Sequence, residues 1–195
     1  HTNEIAQSES YLGHPWCPQW FHVAHLNTSH GKMSKSKGEF LTVSLLEEKG
    51  YDPLSYRFFC LQSHYRKALV FSWENLDNAA AAYGKLIAKI AALNPEDGAV
   101  DEAALKEYKE KFLQQMGNDL NTSMGVTALY DALKAKTNDA TKRAILASFD
   151  QVLSLSLLEK AAQVRKEQAA QKTTSAGDYT ITGEGDPAVD AMVLE

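Results

Sequence analysis

Ser72-Trp73-Glu74-Asn75-Leu76-Asp77-Asn78-Ala79-Ala80-Ala81-Ala82-Tyr83-Gly84-Lys85-Leu86-Ile87-Ala88-Lys89-Ile90-Ala91-Ala92-Leu93-Asn94-Pro95 reads as one helix written with its own start and stop. The Ser72 hydroxyl suits an N-cap, where it accepts from the first unpaired backbone amides. A residue before proline is pushed away from helical geometry, so Asn94-Pro95 predicts an end near Leu93. Ala79 to Ala82 present only methyl groups, which lets a neighbouring helix approach closely. The rest of the chain is read outward from this element.

Toward the C-terminus the signal is helical throughout. Leu105, Tyr108, Phe112 and Met116 follow a 3-4-4 spacing and make one apolar stripe. Gly117-Asn118-Asp119 breaks it. Thr122 is expected to cap the next helix, with Val126, Leu129 and Leu133 inward. Thr141 is expected to cap another, burying Ile145, Phe149, Val152 and Leu153. These spacings describe core and carry no chemistry. The runs Lys106 to Lys111 and Lys134-Ala135-Lys136 read as solvated helix faces. A polar stretch at Lys166 to Lys172 predicts a mobile linker over 171–187. Residues 188–195 read as the first turns of a further helix.

Toward the N-terminus, Pro53 opens a helix at its first position, where its missing N–H costs nothing. Ser44 with Glu47 reads as a capping box, and Gly50 as a stop. Gln19 to Leu26 is aromatic and β-branched and predicts a strand. Asn27-Thr28-Ser29-His30-Gly31 is turn chemistry, and Asn3 to Tyr11 reads as a short helix. The expected architecture is a small α/β module at 1–70 followed by a helical bundle at 71–170.

The chain has 195 residues, 44% of them hydrophobic, enough for one large or two small domains. Its net charge of −5 means that any nucleic-acid contact must come from a local basic patch. Its two cysteines, Cys17 and Cys60, have no metal-site spacing, which fits a reduced, cytoplasmic setting. No apolar run approaches the roughly 20 residues that a membrane helix needs. The abrupt start without Met, and the end inside a helix-like pattern, lead us to expect part of a longer protein.

Gly31-Lys32-Met33-Ser34-Lys35-Ser36-Lys37-Gly38 carries the candidate chemistry. Glycine allows close backbone approach to a ligand, while ammonium and hydroxyl groups suit phosphate oxygens. Phosphate handling is one reading; a solvated basic turn is the other.

Lys32-Met33-Ser34-Lys35-Ser36 resembles the KMSKS signature of class I aminoacyl-tRNA synthetases. His1-Thr2-Asn3-Glu4-Ile5-Ala6-Gln7-Ser8-Glu9 resembles the HENEIAQSE block of the cysteinyl-tRNA synthetase family. Tyr51-Asp52-Pro53, Arg57-Phe58, Ser63-His64-Tyr65-Arg66 and Phe71 to Leu76 look like that family's stem-contact region. Asn118-Asp119-Leu120-Asn121-Thr122 resembles its DDxNT block. The matches are in order and cover about residues 1–165.

The resemblance implies a mainly α fold: the end of a Rossmann-like catalytic domain, with a short strand and the KMSKS loop, then an α-helical anticodon-binding bundle. The implied parts are a catalytic edge at 1–42, a stem-contact region at 43–71 and the bundle at 72–170. It implies ATP-dependent activation of cysteine and transfer to tRNA(Cys), with Mg²⁺ accompanying ATP. Lys35 matches the family's ATP-contacting lysine. Lys32 is expected to neutralise phosphate charge, and Ser34 and Ser36 to donate to phosphate oxygens. Lys37 lies outside the motif. Glu4 matches a zinc ligand; the family's histidine ligand falls one position before His1, and its two cysteine ligands match neither Cys17 nor Cys60. With those donors and the HIGH motif absent, the chain alone is expected to hold little Zn²⁺ and to be inactive. His64 and Tyr65 read first as a satisfied structural histidine and a packing residue, with tRNA-backbone contact as the other reading. Arg66 with Lys67, near Lys32, Lys35 and Lys37, is a candidate basic patch for phosphate backbone.

Two other functions fit some of these blocks. One is a cysteine–amino-sugar ligase of mycothiol synthesis, which also resembles the KMSKS loop. The other is a non-catalytic RNA-binding helical module, which has no use for that loop.

Overall fold

The structure, a computed structural model, describes residues 1–28, 31–32 and 42–177. It is mainly helical. The order is α1 (Thr2–Leu12), β1 (Leu26–Thr28), β2 (Gly31–Lys32), α2 (Val43–Glu48), α3 (Pro53–Leu61), β3 (Leu69–Phe71), α4 (Trp73–Ala91), α5 (Glu102–Gly117), α6 (Thr122–Leu133), α7 (Asp139–Leu153) and α8 (Leu157–Gly177).

The opening helix, α4, starts as its sequence dictates. Ser72 Oγ accepts from the Asn75 amide at 3.0 Å, and the helix ends at Ala91. Its buried residues include Leu76, Ala79, Tyr83, Leu86, Ile87 and Ile90, and it packs between α3 and α8. The Tyr83 hydroxyl satisfies itself on the Leu155 carbonyl at 2.7 Å, and its burial pushes the phenol pKa well up. Pro53 sits in the first turn of α3, whose cap is Asp52, accepting from the Leu54 amide at 2.9 Å. Gly50 closes α2 with φ 83°. Its amide donates to Glu47 and that of Tyr51 to Leu46, both at 2.9 Å, the paired bonds of a Schellman stop.

Three helix starts fall on other residues than expected. α2 is capped by Thr42, whose Oγ1 accepts from the Leu45 amide at 3.2 Å, in place of Ser44. α6 is capped by Asn121 rather than Thr122, and α7 by Asn138 rather than Thr141. Each window holds several residues able to cap, and the helix takes the earliest that leaves its apolar face inward. Thr141 is fully buried instead. Its Oγ1 donates to Asn138 Oδ1 at 2.5 Å and accepts from the Asp101 amide at 2.8 Å, tying the starts of α5 and α7 together. Val152 faces solvent at 49% exposure, whereas Phe149 and Leu153 are each 1% exposed. α8 continues through Gly177, across the start of the linker expected from 171. Its Ala, Gln, Lys and Glu content favours helix without tertiary help. The rest of that linker and the helix expected at 188–195 lie outside the described residues.

The strand expected over 19–26 begins only at Leu26, and 19–25 are irregular. Asn27 and Thr28, expected in a turn, belong to β1. β2 pairs antiparallel with β1, Asn27 opposite Lys32. β3, which sequence periodicity did not reveal, pairs parallel to β1 with Leu26, Asn27 and Thr28 opposite Leu69, Val70 and Phe71. The sheet order is β2-β1-β3.

One buried cluster runs from Leu46 on α2 through Phe58, Phe71, Leu86, Phe112 and Phe149 to Ala161 on α8. The aromatic rings of Phe112 and Phe149 stack at 4.3 Å. Gly125 lets α5 and α6 meet: a Cβ there would come within 2.7 Å of Met116 Cε. The α7–α8 corner turns through Ser154 and Ser156, both at positive φ. Asp150 holds it by accepting from the Leu155 and Leu157 amides at 2.6 and 2.8 Å.

Candidate functional site

The basic motif enters the structure at its first lysine. Lys32 ends β2, and its backbone is fixed by pairing with Asn27. Ser34, Lys35, Ser36 and Lys37 lie outside the described residues. Because β1 also pairs with β3, which leads directly into α4, the entry to the motif is joined by sheet hydrogen bonds to the helical part.

Glu4 lies in the first turn of α1, where the helix dipole favours a carboxylate. Its Oε2 is 3.9 Å from His1 Nδ1, and both side chains are exposed. The His1, Trp20 and His22 rings cluster, His1 with its centroid 4.7 Å from each of the other two. His1 Nε2 lies 3.2 Å from His22 Nδ1, and Trp16 meets Trp20 edge-on. Among the described residues no three His, Cys, Asp or Glu side chains converge on a point where a metal could sit. Cys17 is free, its thiol donating to the Gln19 carbonyl at 3.1 Å. The donors around Glu4 therefore do not by themselves fit a four-coordinate zinc.

The structure brings together two blocks that the sequence keeps far apart. His64, Tyr65 and Arg66, from the loop after α3, close on Asp119 in the turn between α5 and α6. Tyr65 donates its hydroxyl to Asp119 Oδ1 at 2.5 Å. Arg66 Nε donates to Oδ2 at 2.7 Å, and Nη2 to Oδ1 at 3.2 Å. His64 Nε2 lies 2.9 Å from the Asp119 carbonyl, and its Nδ1 3.2 Å from the Arg66 amide. A carbonyl only accepts and an amide N–H only donates, so the ring is the tautomer protonated at Nε2.

Arg66, and next to it Tyr65, hold the Asp119 carboxyl down to about 2. Asp119 and Leu120 both sit at positive φ, 55° and 52°. Aspartate tolerates that geometry, whereas a residue such as Leu120 takes it only when its surroundings enforce it. Arg66, expected in a free basic patch, is thus engaged by a carboxylate. His64 and Tyr65 are likewise committed to Asp119. No local pattern announces this clasp, since its halves lie 53 residues apart.

Beside the clasp, between β1, β3 and α3, lies an apolar cavity of about 290 Å³ lined by Leu26, Tyr56, Cys60, Leu69 and Thr122 among others. Burial pushes the Cys60 thiol pKa up, and that of the Tyr56 phenol to about 12. On α5, Lys106 pairs with Glu110 and Lys111 with Glu107 one turn apart, all exposed, as expected for a solvated face.

Residues 1–81 match the family model for the class I (C) tRNA synthetase catalytic domain. The chain is 39% identical over 171 residues to the cysteine–tRNA ligase of Novosphingobium aromaticivorans, covering 82% of this chain and 35% of that protein. It is 35% identical over 173 residues to the cysteine–tRNA ligase of Borreliella burgdorferi, with 82% and 36% covered. Against cysteine–tRNA ligase 1 of Burkholderia lata the identity is 38% over 160 residues, with 82% and 33% covered. The chain spans about a third of the length of these curated relatives. By sequence, then, the chain is similar to cysteine–tRNA ligases over most of its length, with a class I (C) tRNA synthetase catalytic-domain match at residues 1–81.

Proposed function

We propose that this chain is the part of a cysteine–tRNA ligase that carries the ATP-contacting loop and the tRNA-binding helices. The observation that carries this reading is the catalytic-domain match over residues 1–81, which contains Lys32 to Ser36. In this reading the carboxylate of the parent enzyme's cysteine substrate attacks the α-phosphate of ATP, giving cysteinyl-adenylate and pyrophosphate. A hydroxyl at the tRNA(Cys) 3′ end then takes the acyl group and releases AMP. Positioning and charge stabilisation at the phosphates supply the catalysis. In this reading the roles of Lys35 and Lys32 are to neutralise negative charge developing on the phosphates and those of Ser34 and Ser36 to donate to their oxygens, with Mg²⁺ accompanying ATP. If the parent enzyme holds a zinc, Glu4 would be one oxygen donor to it, and the metal would supply a thiolate-favouring contact for the cysteine substrate.

Residues 1–42 form the edge of the Rossmann-like catalytic domain, 43–71 the stem-contact region and 72–170 the anticodon-binding bundle. Such a protein works in the cytoplasm. No helix among the described residues is long and apolar enough to cross a membrane. The tRNA ligase is favoured over the amino-sugar ligase and the plain RNA-binding module because the similarity spans both the catalytic match and the helices beyond it.

Cysteine-dependent ATP–pyrophosphate exchange, measured on the whole polypeptide that carries these residues, tests the reading. Lys35→Ala should lower that exchange by about 100-fold or more while leaving thermal stability unchanged. An unaltered exchange rate would remove Lys35 from the site, and a complete lack of cysteine-dependent exchange in the wild type would remove the function.

A further inference from the structure

Few contacts hold the segment that leads into β1. α1 buries no residue, and Tyr11, Phe21 and Val23 are 89%, 53% and 62% exposed. Outside the sheet ladder, the backbone hydrogen bond from residues 14–25 to a distant described residue is that of the Ala24 amide, which donates to the Tyr65 carbonyl at 2.8 Å. The Phe21 ring stacks on that same Tyr65 at 4.5 Å. Tyr65 is itself held by Asp119 through its hydroxyl, and its neighbour Arg66 by the same carboxylate. Beside the β1–β3 pairing, these contacts form a second path, from the α5–α6 turn through Asp119, Tyr65 and Ala24 to β1, and across the β1–β2 pairing to Lys32.

We propose that Asp119 is a positioning residue, through which the helical bundle fixes the backbone leading into Lys32. Three observations carry this. The carboxylate uses both oxygens on the one loop that also receives the Ala24 amide. The next residue, Leu120, stands in the left-handed region at φ 52°, a conformation that a branched apolar residue keeps only against a cost. The segment it steadies has no buried helix of its own. What is being positioned is a nucleotide loop on the function proposed above; the mechanical path itself does not depend on that reading.

Amide hydrogen exchange on the full 195-residue chain tests the path, with Asp119→Asn, Arg66→Ala and the double variant. Asparagine tolerates positive φ, so Asp119→Asn removes the charge and spares the turn. Each single variant should speed exchange of the Ala24 amide by about fivefold or more, leaving Leu86 and Ile90 in α4 unchanged. The double variant should exchange no faster than the faster single one, because both break the same link. An unchanged Ala24 amide, effects that multiply in the double variant, or equal acceleration in α4 would each overturn the proposal. Because this measures exchange alone, failure of the nucleotide-loop reading would show separately, in pyrophosphate exchange.

Discussion

The helical bundle and the amino-terminal stretch treat their apolar residues in opposite ways. From α3 to α8 most large apolar side chains go inward; Phe58, Leu86, Leu129 and Leu146 have no exposure at all. Over residues 11–23 the aromatic groups stay outside, with Trp16, Trp20 and Phe21 all exposed by a third or more. The bundle is stabilised by its own burial, while the first segment is held by β1 pairing and by contacts through Tyr65. Composition does not separate the two regions. What separates them is whether a second apolar face lies opposite.

Substitutions sharpen this contrast most where the bundle is densest. Phe149→Ala removes a ring stacked on Phe112 and should cost about 3–5 kcal/mol in denaturant unfolding. Tyr11→Ser should stay within about 0.5 kcal/mol in the same assay. Equal losses at the two positions would break the comparison.

Gly125→Ala tests the packing between α5 and α6. Its new methyl meets Met116 and Phe112, and overpacking of this kind costs about 1–3 kcal/mol. The flexible Met116 side chain puts the expected value at the lower end.

The smallest effect is one of pH. The Asp119 carboxyl is held below its unfolded value, so its contribution is complete above about pH 4 and lost as pH falls through about 2. Protection of the Ala24 amide relative to Ile90 should therefore fall across that window. Asp119→Asn should show no such step.

Much of the bundle was legible before the structure. Ser72, Pro53 and Gly50 act as the start and stop signals they resemble, because each contributes a backbone or capping property that needs no distant partner. The spacing of Phe112 and Met116 likewise finds the core. Elements that depend on a partner were not legible. The aromatic run from Gln19 reads as a strand, yet pairing exists only from Leu26, where β3 lies alongside. β3 itself is three residues long, too short for periodicity to register. Val152 shares the apolar character of Phe149 and Leu153 but lies off their common face. Of the candidate site, Lys32 and Glu4 are placed on a strand and on a helix start, and Ser34 to Ser36 lie outside the described residues. The Asp119 clasp was hidden because its two halves separately resemble an RNA-contacting loop and a helix start.

The parallel pairing of β1 with β3 also constrains the order in which the chain assembles. Leu26 meets Leu69 across 43 positions of sequence, and only three residue pairs compensate for closing that loop. A closure of this length costs about 3 kcal/mol of chain entropy. α3, β3 and α4 follow one another directly, and α3 and α4 pack together without such a detour. The bundle can therefore present a finished β3 edge before β1 arrives. In pulse-labelling during refolding, protection at Leu26 to Thr28 should lag behind that of Leu86 and Ile90. The backbone entering Lys32 would then acquire its fixed position after the bundle has formed.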